Sequence, residues 1–156
     1  MTTVTVLSIR QPYIDEILSG DKKVENRGGL YPWSYRGRVY LHASGMHPTL
    51  PTGVILGHVD IVDCVESDVL HDLAIATRDT RNFSKQPKRF QDAVEQLKAE
   101  NPDVWNRLQE WKRTDRDCQL RHISGPWCYL LENPIRLHTP ISAKGMLGLW
   151  RFNLPD

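Results

Sequence analysis

Polar and apolar residues alternate from the start of the chain. Thr3-Val4-Thr5-Val6 runs into Leu7-Ser8-Ile9, the period-two pattern of a strand. Gln11-Pro12 follows, with Pro12 suited to a first helical position. Ile14, Ile17 and Leu18 then recur at i, i+3 and i+4, and Gly20 falls where a left-handed C-cap belongs. This predicts a strand, a short helix, a glycine turn and a second strand over about Lys23–Arg27. Gly28-Gly29 interrupts the chain, and alternation resumes over residues 38–44, with Val39, Leu41 and Ala43 on one side and Tyr40, His42 and Ser44 on the other. Further strands are predicted over Val54–Val65, Trp127–Glu132 and Met146–Phe152.

Between Glu66 and His122 the period changes. Phe90, Ala93, Val94 and Leu97 fit one helical face, and Val104, Leu108 and Trp111 fit another. Asn101-Pro102-Asp103 supplies an N-cap, a first-turn proline and an acidic first turn between them. The stretch holds 11 basic and 10 acidic side chains. Such balance indicates solvated helix faces rather than a nucleic-acid tail. It reads as a helical insertion, residues 67–122 with two helices, in one β-rich domain spanning 1–156.

Composition narrows the function. The 156 residues are 40% hydrophobic and 25% charged, which suits one globular domain, and no apolar run approaches the roughly 20 residues of a membrane span. Three cysteines, Cys64, Cys118 and Cys128, lie far apart with no Cys-x-x-Cys pair, and no secretory leader is visible. The expected location is the reducing cytoplasm. The six histidines lack two-ligand spacing, so neither metal nor cofactor is expected. Dinucleotide, phosphate-loop and nucleophile-elbow motifs are absent. Net charge is +1, so an anionic partner must meet a local patch.

The densest such patch runs from Lys22 to Arg38. It has five basic residues (Lys22, Lys23, Arg27, Arg36, Arg38) against one acid, Glu25, interleaved with Tyr31, Trp33 and Tyr35. Cations meet phosphate and flat rings stack on bases, a mixture suited to a single-stranded or extruded nucleotide. The competing reading is a self-paired strand followed by a loop whose aromatics cap the core. Ser8, Arg10, His42 and Ser44 form a second set. They occupy alternate positions of two strands and would line one wall if those strands were neighbours. Trp127 reads equally as a third stacking surface and as a core aromatic. Cys128 reads as a small buried residue.

The order of these blocks resembles a known family. Leu7-Ser8-Ile9-Arg10-Gln11-Pro12-Tyr13, Gly20-x-Lys22-x-x-Glu25-x-Arg27, Tyr35-Arg36-Gly37-Arg38 with Leu41-His42-Ala43-Ser44, Gly125-Pro126-Trp127-Cys128-Tyr129, and Lys144-Gly145-x-x-Gly148-Leu149-Trp150 look like an ASCH (activating-signal-cointegrator homology) domain. The resemblance covers about residues 4–66 and 123–152. It implies an α+β, PUA-like mixed β-barrel flanked by helices, and recognition of RNA or modified bases with Lys22, Glu25 and Arg27 in a cleft. Small bacterial relatives hydrolyse N4-acylated cytidines with the motif lysine and a threonine; here Glu25 replaces that threonine.

The expectation is therefore a module that binds RNA, DNA or a modified nucleoside through Ser8, Arg10, Lys22, Glu25, Arg27, Trp33, Arg36, Arg38, His42, Ser44 and Trp127. The alternative is a hydrolase acting on an acylated cytidine or RNA. Lys22 would accept a proton from water held by Glu25, although Glu25's negative charge opposes that role. A third reading makes residues 67–122 a surface for a protein partner.

Overall fold

The computed structural model describes residues 2–156. Six strands and five α-helices follow one another as β1 (Thr2–Arg10), α1 (Tyr13–Ser19), β2 (Val24–Arg27), β3 (Gly37–Ser44), β4 (Val54–Glu66), α2 (Ser67–Arg78), α3 (Thr80–Phe83), α4 (Lys88–Glu100), α5 (Pro102–Lys112), β5 (Trp127–Ser142) and β6 (Leu149–Leu154). The strands form one mixed sheet in the order β2-β5-β4-β3-β1-β6, giving the α+β class expected. The sheet is open rather than closed into a full barrel. The chain divides into two compact units. One comprises Met1–Lys23, Trp33–Val62 and Leu130–Asp156; the other comprises Val24–Pro32 and Asp63–Tyr129.

The first unit is organised around β1. This strand runs parallel to β3, with Ser8 opposite His42 and Arg10 opposite Ser44, and antiparallel to β6, with Val6 opposite Trp150. Between β1 and β3, α1 buries Ile14, Ile17 and Leu18 and ends at Gly20, whose φ of +90° is the left-handed cap that the periodicity predicted. Pro12 stands one place earlier than expected, at the N-cap rather than inside the first turn. β3 pairs antiparallel with β4, and the register slips by one residue between Leu41 and His42, a β-bulge. Gly57 of β4 is forced by packing. A methyl group there would overlap the Ile135 carbonyl oxygen and lie 2.6 Å from Leu18 Cδ2.

β5 extends to Ser142, ten residues beyond its predicted end. Pro134, Pro140 and a left-handed Asn133 (φ +56°) all argue against a strand in the sequence, because proline cannot donate to a ladder. β6 begins at Leu149 rather than Met146, leaving residues 143–148 irregular.

In the second unit the stretch between β4 and β5 carries four α-helices, not two. Leu70, Leu73, Ala74 and Thr77 give α2 a buried 3.6-period face, which the surrounding charges hid in the sequence. α5 buries Val104, Leu108 and Trp111 as expected, whereas of the stripe predicted on α4 only Val94 is fully buried and Ala93 is exposed. Gln109 Nε2 donates to Thr77 Oγ1 at 3.0 Å, and Lys98 Nζ lies 4.1 Å from the Trp105 ring centre, so α5 is tied to both α2 and α4. Pro102 takes the first turn of α5, but Asn101 does not cap it; its amide donates back to the Leu97 carbonyl at 3.0 Å.

Asp115 organises the turn after α5. It accepts from the Gln119 backbone N–H (3.1 Å), the Gln119 side chain (2.7 Å) and Arg121 (3.0 Å). Burial alone would raise its pKa, but the Arg121 and Gln119 hydrogen bonds together hold it below the ordinary carboxylate value.

Two outcomes test these arrangements. Gly57→Ala should destabilise the protein by about 1–3 kcal/mol through overpacking, read from the urea midpoint. An unchanged midpoint would contradict the tight β4–β5 approach. Asp115→Asn should lower the thermal midpoint at neutral pH. A carboxylate with a depressed folded pKa stabilises above its unfolded pKa and loses that contribution as pH falls through the folded one. The gap between the two proteins should therefore close on acidification, and a gap constant with pH would refute the ionised role.

Candidate functional site

Parallel pairing of β1 with β3 settles the question left open by the sequence: the two strands are neighbours, and Ser8 with His42 and Arg10 with Ser44 share one sheet face in register. Along that face burial falls toward the strand ends. Ser8 and His42 are buried, Ser44 is half-buried and Arg10 is exposed. Ser8 Oγ accepts from Trp150 Nε1 at 2.9 Å and donates to the Met146 carbonyl at 2.6 Å. His42 Nε2 lies 2.7 Å from the Ala143 carbonyl oxygen, and its ring meets Trp150 edge-on at 5.7 Å. The wall is therefore backed by Trp150 and bordered by the irregular segment 143–148. Trp150 and Gly145 were not among the expected site residues. The Gly-x-x-Gly spacing of Gly145 and Gly148 was the available signal, since both positions admit no larger neighbour: a side chain on Gly145 would overlap the His42 ring, and Gly148 has φ +67° against the Trp33 ring.

Elsewhere in the first unit, Lys22 is 4% exposed, its backbone N–H donates to the Glu16 carbonyl at 3.0 Å and its ammonium lies 5.8 Å from the Tyr13 ring centre. Lys23 Nζ donates to the Gly20 carbonyl at 2.5 Å. Arg36 donates to the Trp33 and Tyr35 carbonyls at 3.1 and 2.9 Å, and the Tyr35 hydroxyl donates to the Arg38 carbonyl at 2.6 Å, so the turn before β3 is fixed by its own side chains. Arg38 is 59% exposed and only 3.9 Å from Asp60, a loose surface pair of little energetic weight. Burial, and then the Arg38 charge, lower the pKa of His58, opposed by Asp60.

In the second unit, Glu25 is buried and its carboxylate is already engaged. Oε1 accepts the Asn26 backbone N–H at 3.0 Å and Oε2 accepts from Arg27 at 3.2 Å. The shared strand face of Glu25 and Arg27 thus yields an ion pair. Asn26, an unremarked position in the motif, does the joining. Its amide donates to the His122 carbonyl (2.6 Å) while its oxygen accepts from the Ser124 N–H (3.0 Å) and the Cys128 thiol (3.4 Å). Trp127 is half-buried and spends its indole N–H on the Gly29 carbonyl at 3.1 Å. Cys128 is buried, as read from sequence, and burial with the Asp115 charge pushes the Cys118 thiol up to about 11, far from a nucleophile's range. Among the described residues no cluster of three or more His, Cys, Asp or Glu is placed to hold a metal ion, and no helix is long and apolar enough to cross a membrane.

Comparison with known proteins adds a family. A family model described as the ASCH domain matches residues 7–137. No curated protein matches the chain. Two solved structures from Zymomonas mobilis are similar to it. One, a serine-to-alanine mutant of the ASCH protein of that organism, is 16% identical with a TM-score of 0.49. The other, ASCH from Zymomonas mobilis without that mutation, is 17% identical with a TM-score of 0.45. In both cases the alignment covers 96% of this chain and 87% of the other.

Ser8→Ala should show what the wall depends on. It removes the acceptor of the buried Trp150 N–H and the donor to Met146, at a cost of about 1–3 kcal/mol in unfolding free energy. Denaturation that matches wild type would mean that Ser8 does not hold Trp150 and segment 143–148 together.

Proposed function

The chain belongs to the ASCH domain family, and from that membership we propose that it binds nucleic acid, with single-stranded RNA or a modified nucleoside as its ligand class. The observation that carries the proposal is the segment Gly28–Arg38. It contains no acidic side chain, it leaves Arg36 and Arg38 exposed, and it holds Tyr31 85% exposed. An aromatic ring kept in water, in the same short segment as two exposed cations, suits stacking on a base with phosphate contact. Arg10, exposed at the end of β1, adds a further cation. In this reading Arg36 and Arg38 meet phosphate, and Tyr31, in the same short segment, stacks, with Trp33 as a further platform. Glu25 of the motif is neutralised by Arg27 before any ligand arrives.

That neutralisation also ranks the hydrolase reading second. Glu25 would have to hold or relay a water proton for Lys22, yet each of its oxygens already accepts a hydrogen bond.

Binding to a fluorescent single-stranded RNA should weaken linearly in log K against log salt. Arg38→Ala should reduce that slope by about 0.7, the share of one single-strand phosphate contact. Tyr31→Ala should cost about 1–3 kcal/mol of affinity at every salt concentration. Absent or salt-independent binding to RNA, single-stranded DNA and modified nucleosides would end the proposal. Turnover of N4-acetylcytidine or RNA by wild type, lost in Lys22→Ala and Glu25→Gln, would replace it with the hydrolase.

A further inference from the structure

We propose that residues 145–147 form a displaceable cover over His42, and that the uncovered Nδ1 accepts a hydrogen bond from the exocyclic amino group of a nucleobase. The inference rests on the nucleic-acid reading above and specifies how one base is held.

It begins with the ring's protonation. A carbonyl oxygen can only accept, so the 2.7 Å contact between Nε2 and the Ala143 oxygen places the proton on Nε2. In the neutral ring Nδ1 is then a bare lone pair. That atom has no hydrogen-bond partner although the residue is 3% exposed. A buried acceptor left unpaired is destabilising, and native proteins retain few of them. His42 faces this way because the parallel register with β1 sets it opposite Ser8.

What covers Nδ1 is as thin as a polypeptide can be. The main chain of Gly145 lies against the ring, and a side chain there would overlap Cε1 and come within 2.6 Å of Nδ1. Gly145 is itself exposed. The next two residues hold large apolar side chains in water, Met146 at 62% and Leu147 at 98% exposure. Such exposure has a use if these side chains close on the flat face of a bound base and recover apolar contact.

The anchors permit the motion. On one side, Ala143 is fixed by the His42 bond and by its N–H to the Gly53 carbonyl at 3.2 Å. On the other, Gly148 accepts from the Ser8 N–H at 3.4 Å and carries the left-handed φ of +67°. Breaking the bond from Ser8 Oγ to the Met146 carbonyl loosens the residues between them. Ser8 keeps its bond from Trp150, so the wall stays in place. Arg10, two residues along the same face, is exposed and suits the phosphate of the same nucleotide.

The test uses the full chain, histidine ring nitrogen NMR and two probes, adenosine monophosphate and its N6,N6-dimethyl analogue, which lacks the amino donor. Free protein should show Nδ1 as an unprotonated, unbonded nitrogen. Adenosine monophosphate should shift that resonance, and the dimethyl analogue should bind about tenfold more weakly without shifting it, the loss expected for one hydrogen bond of roughly 1.4 kcal/mol. Gly145→Ala, which cannot close over the ring, should melt lower than wild type yet bind the nucleotide at least as tightly. Equal affinity for the two probes, an unmoved Nδ1 resonance on binding, or a Gly145→Ala protein that is folded but has lost nucleotide affinity would each overturn the cover while leaving nucleic-acid binding intact. Failure of RNA and both nucleotides to bind at low salt would overturn both.

Discussion

The parallel ladder between β1 and β3 is the constraint on which the candidate wall depends. Side chains alternate with a period of two, so a slip of one residue would send Ser8 and Arg10 to the opposite face and bring Leu7 and Ile9 out in their place. The hydrophobic set fixes the register: Leu7, Ile9, Leu41 and Ala43 are all buried on the other side, and a slip of β1 would take Leu7 and Ile9 away from Leu41 and Ala43. Once that set is placed, Ser8 faces Trp150, Trp150 meets His42, and His42 reaches Ala143. The polar wall is thus a by-product of apolar burial on the reverse face. Ser8 Oγ and His42 Nε2 then find their partners in Trp150 of β6 and in the segment before it.

The second unit reaches order by a different route. Its helices present balanced charge to solvent, and pairs such as Lys88–Asp92 and Arg113–Glu110 are highly exposed and contribute little. The specifying contacts are fewer and more buried. Asn26 binds three groups of the segment before β5 and at its start, and Asp115 gathers Gln119 and Arg121 around the turn that follows α5. Both are short polar side chains that satisfy backbone groups no regular element could reach, the role in which Asn and Asp serve best.

Charge in this protein is spent locally. A net charge of +1 gives no long-range attraction to a polyanion, so the exposed cations of the segment before β3 act at contact distance only. Glu25 and Arg27 cancel each other, and Arg36 spends donors on its own loop.

The sequence by itself determined the elements whose signal is local. Periodicity located β1, α1 with its Gly20 cap, β3, β4 and α5, and five ordered blocks carried the family. It also put Ser8, Arg10, His42 and Ser44 on matching strand positions. It could not say that those strands were adjacent, since pairing partners lie more than thirty residues apart and nothing in either strand names the other. The second half of β5 was hidden by its prolines, and α2 by its charges; both form because the surrounding packing outweighs local preference. Tertiary structure alone decided that Asn26 would be a hub and that the Nδ1 of His42 would lie under Gly145. Each of these depends on where a distant backbone carbonyl or a glycine comes to rest, and that position is set by the burial of apolar side chains elsewhere in the same unit.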